Sequence, residues 1–467
     1  MIWFDAHRSV PCVRCTRLAR RPDRGRLPVD HVFYPWSAQA GVHPVPVTGA
    51  SGSWFWDAEG KRYLDFSSQL VNVNIGHQHP DVVAAIVAQA GTLTTISPTV
   101  GNEVRSELAR LIVERAPGQL NRVLFTTGGA EAVEHAVRLA RSYTGRTKML
   151  SAYRSYHGGT GVAIGLTGEP RRWGAEPTNV DVIRFFGPYP YRSAWQCTTP
   201  EQETAAALRH LRQVIELEGP QHIAGLILES VVGTNGVLVP PPGYLAGVRE
   251  LCDEFGIVYI ADEVMAGFGR VGEWFAVQAF DVAPDLITFA KGVNSGYVPL
   301  GGVLIAERIA ARYDDTVYPG GLTYAGHPLA CAAGVASIGV FEREGILDHV
   351  RTVGSDVLGK GLRELASRHP SVGEVRGMGF FWALELVRDP QTREPLVPFA
   401  ASGAAAEPMS RVTAAAKERG LWPFVAANRL QIAPPLTTSA DELRTGMGIL
   451  DEVLAVADSY VGESAAQ

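Results

Sequence analysis

Two residues with reactive side chains end two short apolar runs in the middle of the chain. The run at 257–261 is followed by Asp262, and the run at 286–290 is followed by Lys291. Short apolar runs bounded by turn residues are typical of buried parallel strands, and open α/β sheets bind ligands at the carboxyl ends of such strands. The sequence therefore predicts an amine and a carboxylate close together at a ligand-binding edge.

This pair of side chains matches one kind of cofactor chemistry. A lysine can form an imine with a carbonyl group, and a buried acid can hold the proton of a cationic ring nitrogen; pyridoxal phosphate requires both. Strand-end aspartates and lysines are also common as solvated or salt-bridged structural residues. The catalytic assignment of Lys291 and Asp262 therefore depends on the segments around them.

A glycine turn earlier in the chain could bind an anion. A short strand at 123–125 is followed by TTGGAEAVEHAVRLARSY, in which the glycines open directly into a helix. The backbone N–H groups of Gly129 and Ala130, together with the helix dipole, make such a turn a phosphate site, and glycine lets the phosphate approach closely. An ordinary tight strand-to-helix turn would have the same sequence.

Two further strand ends carry candidate site residues. The predicted strand at 149–152 leads into YRSYHGGTG, where Tyr156 or His157 could stack on a flat ring. A tyrosine–histidine pair more often only packs. The predicted strand at 223–228 ends in Glu229, a third charged residue at this edge of the sheet.

Composition excludes several classes of protein. The formal net charge of -6 gives no electrostatic basis for binding nucleic acid, and no apolar run is long enough to span a bilayer. The five cysteines are odd in number and scattered, which fits a reducing compartment and predicts a cytoplasmic protein. Cys12 and Cys15 lack a second pair at zinc spacing, so no metal site is predicted.

Residues 1–28 are rich in arginine and poor in apolar residues, and the apolar residues show neither helical nor strand periodicity. This composition predicts a disordered tail. A cleaved targeting segment is one explanation, because such peptides are arginine-rich and poor in acids. We favour a start of translation further in, for instance at Val29.

This hypothesis about the start site predicts that the native protein lacks residues 1–28. N-terminal mass spectrometry of protein from its natural source checks it, and a native chain that begins at residue 1 contradicts it.

The remainder alternates strands and helices, which predicts a mostly parallel sheet with helices on both faces. The segment WFWDAEGKRYLDF predicts a hairpin around Glu59-Gly60, and Ser439 with Glu442 predicts a capping box at the start of the last helix. We predict a large domain at 75–333 and a smaller α+β domain built from 29–74 and 334–467.

Five segments, GGAEAVE, YHGGTG, DEVMAGFGR, AKG and TYAGHPLACAA, occur in this order and spacing. Together they resemble the class III aminotransferases, pyridoxal-phosphate enzymes of fold type I, over nearly everything after residue 30. The resemblance implies a large α/β domain around a seven-stranded sheet, pyridoxal 5'-phosphate as cofactor, and a homodimer with shared active sites. It also implies an amine donor and a keto-acid acceptor as substrates.

The resemblance implies a role for each matching residue. Lys291 would form the imine with the cofactor and move the substrate's proton, and Asp262 would keep the ring nitrogen protonated. Tyr156 and Val264 would cover the two ring faces, with His157 beside them. Gly129 and Ala130 would bind the phosphate, and Thr323 would reach the phosphate of the partner subunit. Glu229 would pair with a mobile arginine that moves aside for a dicarboxylate.

Two departures from the family pattern concern the cofactor. Gly128 and Ala130 stand where the phosphate turn usually carries hydroxyl groups, so backbone donors must bind more of the phosphate. Met265 stands where many members have a glutamine near the phenolic oxygen of the cofactor.

A third departure concerns the substrate. Many members have an arginine just before the APPL segment, whereas NRLQIAPPL places Gln431 there. Arg429 lies two residues upstream, hence on the same strand face, and is an alternative. Without a fixed arginine, bidentate recognition of an α-carboxylate weakens.

The expected donor is therefore an ω-amine, a β-amino acid or an aminosulfonate. The segments HVFYPWSAQ and SSQLVNVNIGHQHP are most similar to taurine or ω-amino-acid transaminases. The predicted substrate pocket comprises Trp36, Leu70, Val71, Tyr156, Glu229 and Gln431. Two alternatives stay open: another pyridoxal-phosphate reaction (aminomutase, decarboxylase or racemase), and a non-catalytic cofactor-binding regulator.

Overall fold

The structure, a computed structural model, describes residues 31–177 and 181–462. The predicted tail and the Cys12–Cys15 pair lie outside the described residues. Contacts divide the chain into two compact units, residues 1–46 and 47–467. The described part of the first unit contains one 3-10 turn, Gln39–Gly41. No helix in the described ranges is long and apolar enough to cross a membrane.

The described residues of the second unit form three sheets and a set of α-helices of 4 to 19 residues. Its strands are β1 Val47–Ser51, β2 Trp54–Asp57, β3 Arg62–Asp65, β4 Leu120–Thr126, β5 Lys148–Ala152, β6 Val182–Phe185, β7 Ile223–Glu229, β8 Val258–Asp262, β9 Leu286–Phe289, β10 Gly301–Ala306, β11 Val372–Met378, β12 Phe381–Asp389, β13 Glu394–Pro395, β14 Leu421–Trp422, β15 Phe424–Ala426 and β16 Arg429–Ile432. Its α-helices are α1 Ser68–Val71, α2 Pro80–Thr92, α3 Glu103–Val113, α4 Gly129–Thr144, α5 Gly161–Leu166, α6 Pro200–Glu218, α7 Tyr244–Phe255, α8 Glu307–Ala310, α9 Pro328–Arg343, α10 Ile346–Val353, α11 Lys360–Ala366, α12 Glu407–Glu418 and α13 Ala440–Asp458.

The largest sheet has seven strands in the order β4-β10-β9-β8-β7-β5-β6. Within this sheet only β10 is antiparallel to its neighbours, β4 and β9, so the predicted mostly parallel sheet is confirmed. Because the other six strands point the same way, their carboxyl ends meet at one edge of the sheet. This edge is where ligands of open α/β sheets bind.

Helices cover both faces of this sheet because its strands are apolar on both sides. Along β8, Val258 and Ile260 pack in one cluster with α4, whereas Tyr259, together with Ile257 just before the strand, packs in another with α6 and α7. This alternation follows from the two-residue period of a strand. The apolar run of β8 is thus fully used for packing, and only its last residue, Asp262, is left for chemistry.

The N-terminal hairpin joins the C-terminal part of the chain. Strands β2 and β3 pair as predicted, and β3 continues in parallel with β14. The other sheet runs β11-β12-β16-β15, with β13 on β12. The predicted capping box is confirmed, because the Ser439 hydroxyl accepts from the Glu442 N–H and the Glu442 carboxylate accepts from the Ser439 N–H. The proposed domain boundaries stay a prediction.

A π-helical turn, Gly354–Gly359, joins α10 to α11. A Cβ on Gly354 would lie 2.5 Å from the carbonyl oxygen of Gly379. The wide turn therefore accompanies a close backbone contact that only glycine permits.

The turn α1 is strained and is held by a buried carboxylate. Ser68, Gln69 and Val71 all have positive φ, a conformation that costs about 1–2 kcal/mol for a residue with a side chain. Asp65, which is fully buried, accepts hydrogen bonds from the Ser67 and Gln69 N–H groups and from His77 Nε2. Burial raises the pKa of Asp65, but the bonds from His77 and Gln69 outweigh burial and hold it below its ordinary value.

We expect Asp65→Asn to loosen this turn. An amide cannot accept all of these bonds, so buried donors lose their partner at a cost of about 2 kcal/mol. Hydrogen exchange at the Ser67 and Gln69 amides should accelerate accordingly at pH 7. The same loss should occur in the unaltered protein as the pH falls below about 4, because the lowered pKa stabilises the fold only while Asp65 is ionised.

The matched control for this prediction is Asp81→Asn. Asp81 forms an ion pair with Arg343 on the surface, where its side chain is 52% exposed, so the change should cost less than about 0.5 kcal/mol. Equal exchange rates at Ser67 in both variants would contradict the role of Asp65.

Candidate active site

A cavity of about 320 Å³ opens at the carboxyl edge of the seven-stranded sheet. The segments that follow β4, β5, β7, β8 and β9 all reach it. The predicted site residues that line it are Gly129, Ala130, Tyr156, His157, Glu229, Asp262, Val264 and Lys291. The sheet register brings them together, because Glu229 on β7 pairs with Asp262 on β8, and Asp262 pairs with Thr288 on β9.

Asp262 is buried and held from several sides. Its Oδ1 accepts hydrogen bonds from the Val264 N–H and the Thr288 hydroxyl, both at 3.1 Å. Its Oδ2 lies 2.7 Å from Nδ1 of His157, whose side chain is fully enclosed. The carboxylate therefore has one orientation, and it presents a fixed acceptor to a cationic donor in the cavity.

His157 has one ring nitrogen on Asp262 and one without a partner. Its Nε2 is buried and makes no hydrogen bond with the described residues. A buried unpaired ring nitrogen in a cavity wall is costly unless a ligand contacts it. His157 thus orients Asp262 with Nδ1 and offers Nε2 to whatever fills the cavity.

Lys291 follows β9 and has a positive φ of 44°, a conformation rare outside glycine. Burial lowers the pKa of its amine to about 8. The carboxylates of Asp262 and Glu229 oppose this shift, and the positive charges of Arg171 and Arg270 add to it. Because an ordinary lysine has a pKa near 10.4, a far larger fraction of this amine is neutral at pH 7. A neutral buried amine is the form that attacks a carbonyl or accepts a proton.

Glu229 is also buried, and burial, with the nearby Asp262, raises its pKa to about 7 despite His157 and two backbone N–H groups. Those N–H groups belong to Tyr156 and Gly233, at 2.9 and 2.7 Å from its two oxygens. The implied pairing with a mobile arginine is not present: in the described ranges Glu229 forms hydrogen bonds to backbone and no ion pair. In this structure Glu229 holds the loop after β7 and the backbone of Tyr156.

The predicted anion turn has the expected form. Helix α4 begins at Gly129, and no side chain caps it. The Thr127 hydroxyl donates to Glu131, so the ligands offered here are backbone N–H groups. A Cβ on Gly128 would meet no atom within 4 Å, whereas one on Gly129 would lie 2.7 Å from Val264. The turn therefore leaves space beside Gly128 and packs Gly129 against the cavity wall.

Other predicted pocket residues lie elsewhere. Leu70 is 66% exposed and Val71 is buried in an apolar cluster with Met265; neither lines the cavity of the described chain. Thr323 is exposed on the turn before α9. Trp36 belongs to the first compact unit and is 57% exposed. Their roles in a pocket stay predictions.

Gln431 is fully buried on β16 and turns toward the loop after β7. Its Nε2 donates to the Thr234 carbonyl at 2.7 Å, and its Oε1 has no partner among the described residues. Thr234 itself lines the cavity, as does Asn72. Sequence reasoning missed both residues, although the short loop between Glu229 and Gly236 signals a turn at a strand end.

Comparison with known proteins agrees with this geometry. The family model Aminotransferase class-III matches residues 36–454. The chain is a class III aminotransferase. The 5-aminovalerate aminotransferase of Pseudomonas aeruginosa is 36% identical over 421 residues, which cover 88% of this chain and 93% of the relative. The 4-aminobutyrate aminotransferase of Escherichia coli is 34% identical over the same length, with the same two coverages.

Among solved structures, this aminotransferase resembles a taurine:2-oxoglutarate aminotransferase from Bifidobacterium kashiwanohense in complex with pyridoxal phosphate and glutamate. The two chains are 41% identical with a TM-score of 0.89, over 92% of this chain and 96% of the other. The predicted family, enzyme class and fold type I are confirmed.

Pyridoxal phosphate is the cofactor of the aminotransferase, and the cavity fits it. A phosphate requires the uncapped N–H groups at Gly129, a ring nitrogen requires Asp262, and an aldehyde requires an amine such as Lys291. The orphaned Nε2 of His157 and the open space at Gly128 are further features that a bound ligand would use. The individual contacts are proposals derived from this fit.

The lowered pKa of Lys291 predicts unusual reactivity in the apoprotein. Reductive methylation requires a neutral amine, so labelling of Lys291 should be half-maximal near pH 8, whereas a lysine in a model peptide requires about pH 10. Mass spectrometry of labelled peptides measures this. A half-point for Lys291 equal to that of the model peptide would contradict the effect of burial.

Proposed function

We propose that the enzyme takes the amino group from an ω-amine, β-amino acid or aminosulfonate and gives it to a keto acid such as pyruvate or 2-oxoglutarate. The observation that carries this proposal is Gln431. It occupies the position of the expected arginine, is neutral, and uses its amide on the Thr234 carbonyl. An α-carboxylate next to the reacting carbon would find no guanidinium there.

The three relatives compared above support this choice of donor. Taurine, 5-aminovalerate and 4-aminobutyrate, the donors in their names, each carry the acid at the opposite end of the molecule from the amine. Such a donor places its acid away from the reacting carbon. A cation further from Lys291 than position 431 would then be the right partner.

Arg429, the alternative on the same strand face, lies in a different environment. It is buried among Arg376, Tyr189 and Glu385, and burial lowers its pKa. A Cβ on Gly236 would lie 2.7 Å from its Cδ, so the side chain passes behind the end of the loop that contains Thr234. We assign Arg429 to this buried cluster and not to substrate binding.

The proposed catalytic roles rest on the geometry of the site residues. Bound pyridoxal phosphate supplies an aldehyde that takes the amino group and a ring that withdraws electrons from the substrate carbon. Lys291 would hold the cofactor and, when released by the donor, accept and return the proton at its Nζ. Asp262, fixed by Thr288, Val264 and His157, would hold a proton on the ring nitrogen.

The remaining roles concern binding. Tyr156, whose backbone is held by Glu229, and Val264 would cover the ring faces. The exposed Thr323 would reach the cofactor of a partner subunit in a cytoplasmic homodimer. Because Thr323 does not line the cavity of its own chain within the described residues, this contact requires a second copy.

A donor panel tests the proposed specificity. With 2-oxoglutarate as acceptor, the purified enzyme should transaminate taurine, β-alanine or 5-aminovalerate at a kcat/KM at least about tenfold above that for alanine. Pyruvate is tested as acceptor with the ω-donors alone, because with alanine it regenerates the same pair of compounds. Lys291→Ala should abolish turnover with every donor. Strong activity confined to α-amino acids would refute the proposed donor class, and product formation without any keto acid would indicate a different reaction.

A further inference from the structure

A second cavity lies at the same edge of the seven-stranded sheet as the active-site cavity. Its volume is about 160 Å³, and it is formed by the ends of β5 and β7, the loop after β6 and the start of α7. Among the described residues, Glu229 alone lines both cavities. The second cavity is therefore a separate space that meets the active site through one buried side chain.

The size and the walls of the second cavity suit an aromatic ring. An apolar cavity of about 150 Å³ in another protein holds one benzene molecule. Tyr153 and Phe186 line the second cavity, are 40% and 50% exposed, and have ring centroids 5.3 Å apart, so they mark its opening. The buried apolar residues of its wall include Leu228, Val231's neighbour Val232, Leu238 and Leu245. Such walls favour a flat apolar ligand of one ring.

Two arginines also line the second cavity, Arg154 and Arg192. The guanidinium carbon of Arg154 lies 5.1 Å from the ring centroid of Tyr189, and an arginine that stacks by its face keeps its N–H donors in the plane. Arg192 donates from Nε to Glu385, whereas its Nη2 is buried without a partner among the described residues. A buried unpaired donor costs about 1–3 kcal/mol unless a ligand or a water accepts its hydrogen bond.

The charges around the second cavity favour an anion. Glu229 is the one acid among its described lining residues, against two arginines. We propose that this cavity binds a carboxylic acid with one aromatic ring, for which benzoate is the simplest probe. The ring lies among the apolar side chains, and the carboxylate accepts hydrogen bonds from Arg154 and from Nη2 of Arg192.

Glu229 couples the second cavity to the active site. Its two oxygens accept from the N–H groups of Tyr156 and Gly233. A carboxylate bound beside Glu229 favours the protonated form of Glu229, because like charges repel, and a protonated acid accepts hydrogen bonds less strongly than an ionised one. Bound benzoate therefore loosens the hold on the backbone of Tyr156. With the best donor of the panel, saturating benzoate should lower kcat at least about twofold, and saturating donor should not relieve this inhibition.

Calorimetry of the holoenzyme with benzoate tests the site directly. Arg192→Gln should weaken binding at least about tenfold, and Glu385 keeps Tyr189 and Arg376 as partners in this variant. The matched control is Arg393→Gln. Arg393 stacks on the ring of Tyr191, as Arg192 does, but is absent from the described lining of the cavity, so binding should change less than about twofold.

Benzyl alcohol, a ring of the same size without charge, separates the ring from the acid. It should bind wild-type enzyme at least about tenfold more weakly than benzoate does and should not distinguish Arg192→Gln from wild type.

A second variant, Gly187→Val, fills the second cavity without removing a charge. Gly187 and Ala152 both line it, and a Cβ on Gly187 would meet only the Cβ of Ala152, at 3.7 Å. Valine also suits a position before a proline, because such positions favour extended backbone. Binding of benzoate should be lost, while circular dichroism shows the wild-type fold.

Benzoate could instead enter the active-site cavity, and aminooxyacetate distinguishes the two sites. This compound reacts with the aldehyde of the cofactor and fills the active-site cavity, so benzoate affinity should change less than about threefold after treatment if benzoate binds the second cavity. Loss of benzoate binding after treatment, or inhibition competitive with the donor, would overturn the proposal. Equal affinities of wild type and Arg192→Gln, or absence of binding at about 10 mM benzoate, would also overturn it. Unchanged kcat at saturating benzoate would refute the coupling through Glu229.

Discussion

The active site depends on keeping an amine and two carboxylates out of water in one small cavity. Burial alone would neutralise each of them, because charged groups lose hydration in a protein interior. Burial lowers the pKa of Lys291 to about 8 and raises that of Glu229 to about 7, and both shifts favour the neutral form. Asp262 instead receives three hydrogen-bonding partners. The site therefore holds groups that exchange protons near neutral pH beside one fixed acceptor.

Such a site requires a rigid frame, and the sheet supplies it. Strands β7, β8 and β9 are buried on both faces, so their register is set by packing against helices on each side. That register places Glu229, Asp262 and Thr288 side by side. The loops after these strands then need only a few hydrogen bonds to complete the cavity, such as those that Glu229 accepts from the Tyr156 and Gly233 N–H groups.

The sequence was sufficient for features that depend on neighbouring residues. Asp262 and Lys291 follow apolar runs, the turn at Gly129 opens a helix, and Ser439 and Glu442 form a capping box at the expected spacing. Features that depend on distant partners were not visible. The Gln431 side chain donates to the Thr234 carbonyl, which lies 197 positions away in the chain. The backbone partners of Glu229 were missed for the same reason, and an arginine was expected in their place.

Charge balance explains why a neutral residue at 431 fits a donor with a distant acid. An acid group entering the cavity brings an anion close to Asp262 and Glu229, and like charges raise each other's pKa. Glu229, already near neutrality at its pKa of about 7, can take up a proton at little cost, but the substrate anion still needs a cation. Arg171 is tied through Glu169 and Asn235 to the same loop that Gln431 and Glu229 hold. The loop between Gly233 and Gly236 therefore joins the buried Glu229, the neutral amide of Gln431 and the cation beside Tyr156 through direct hydrogen bonds and Glu169.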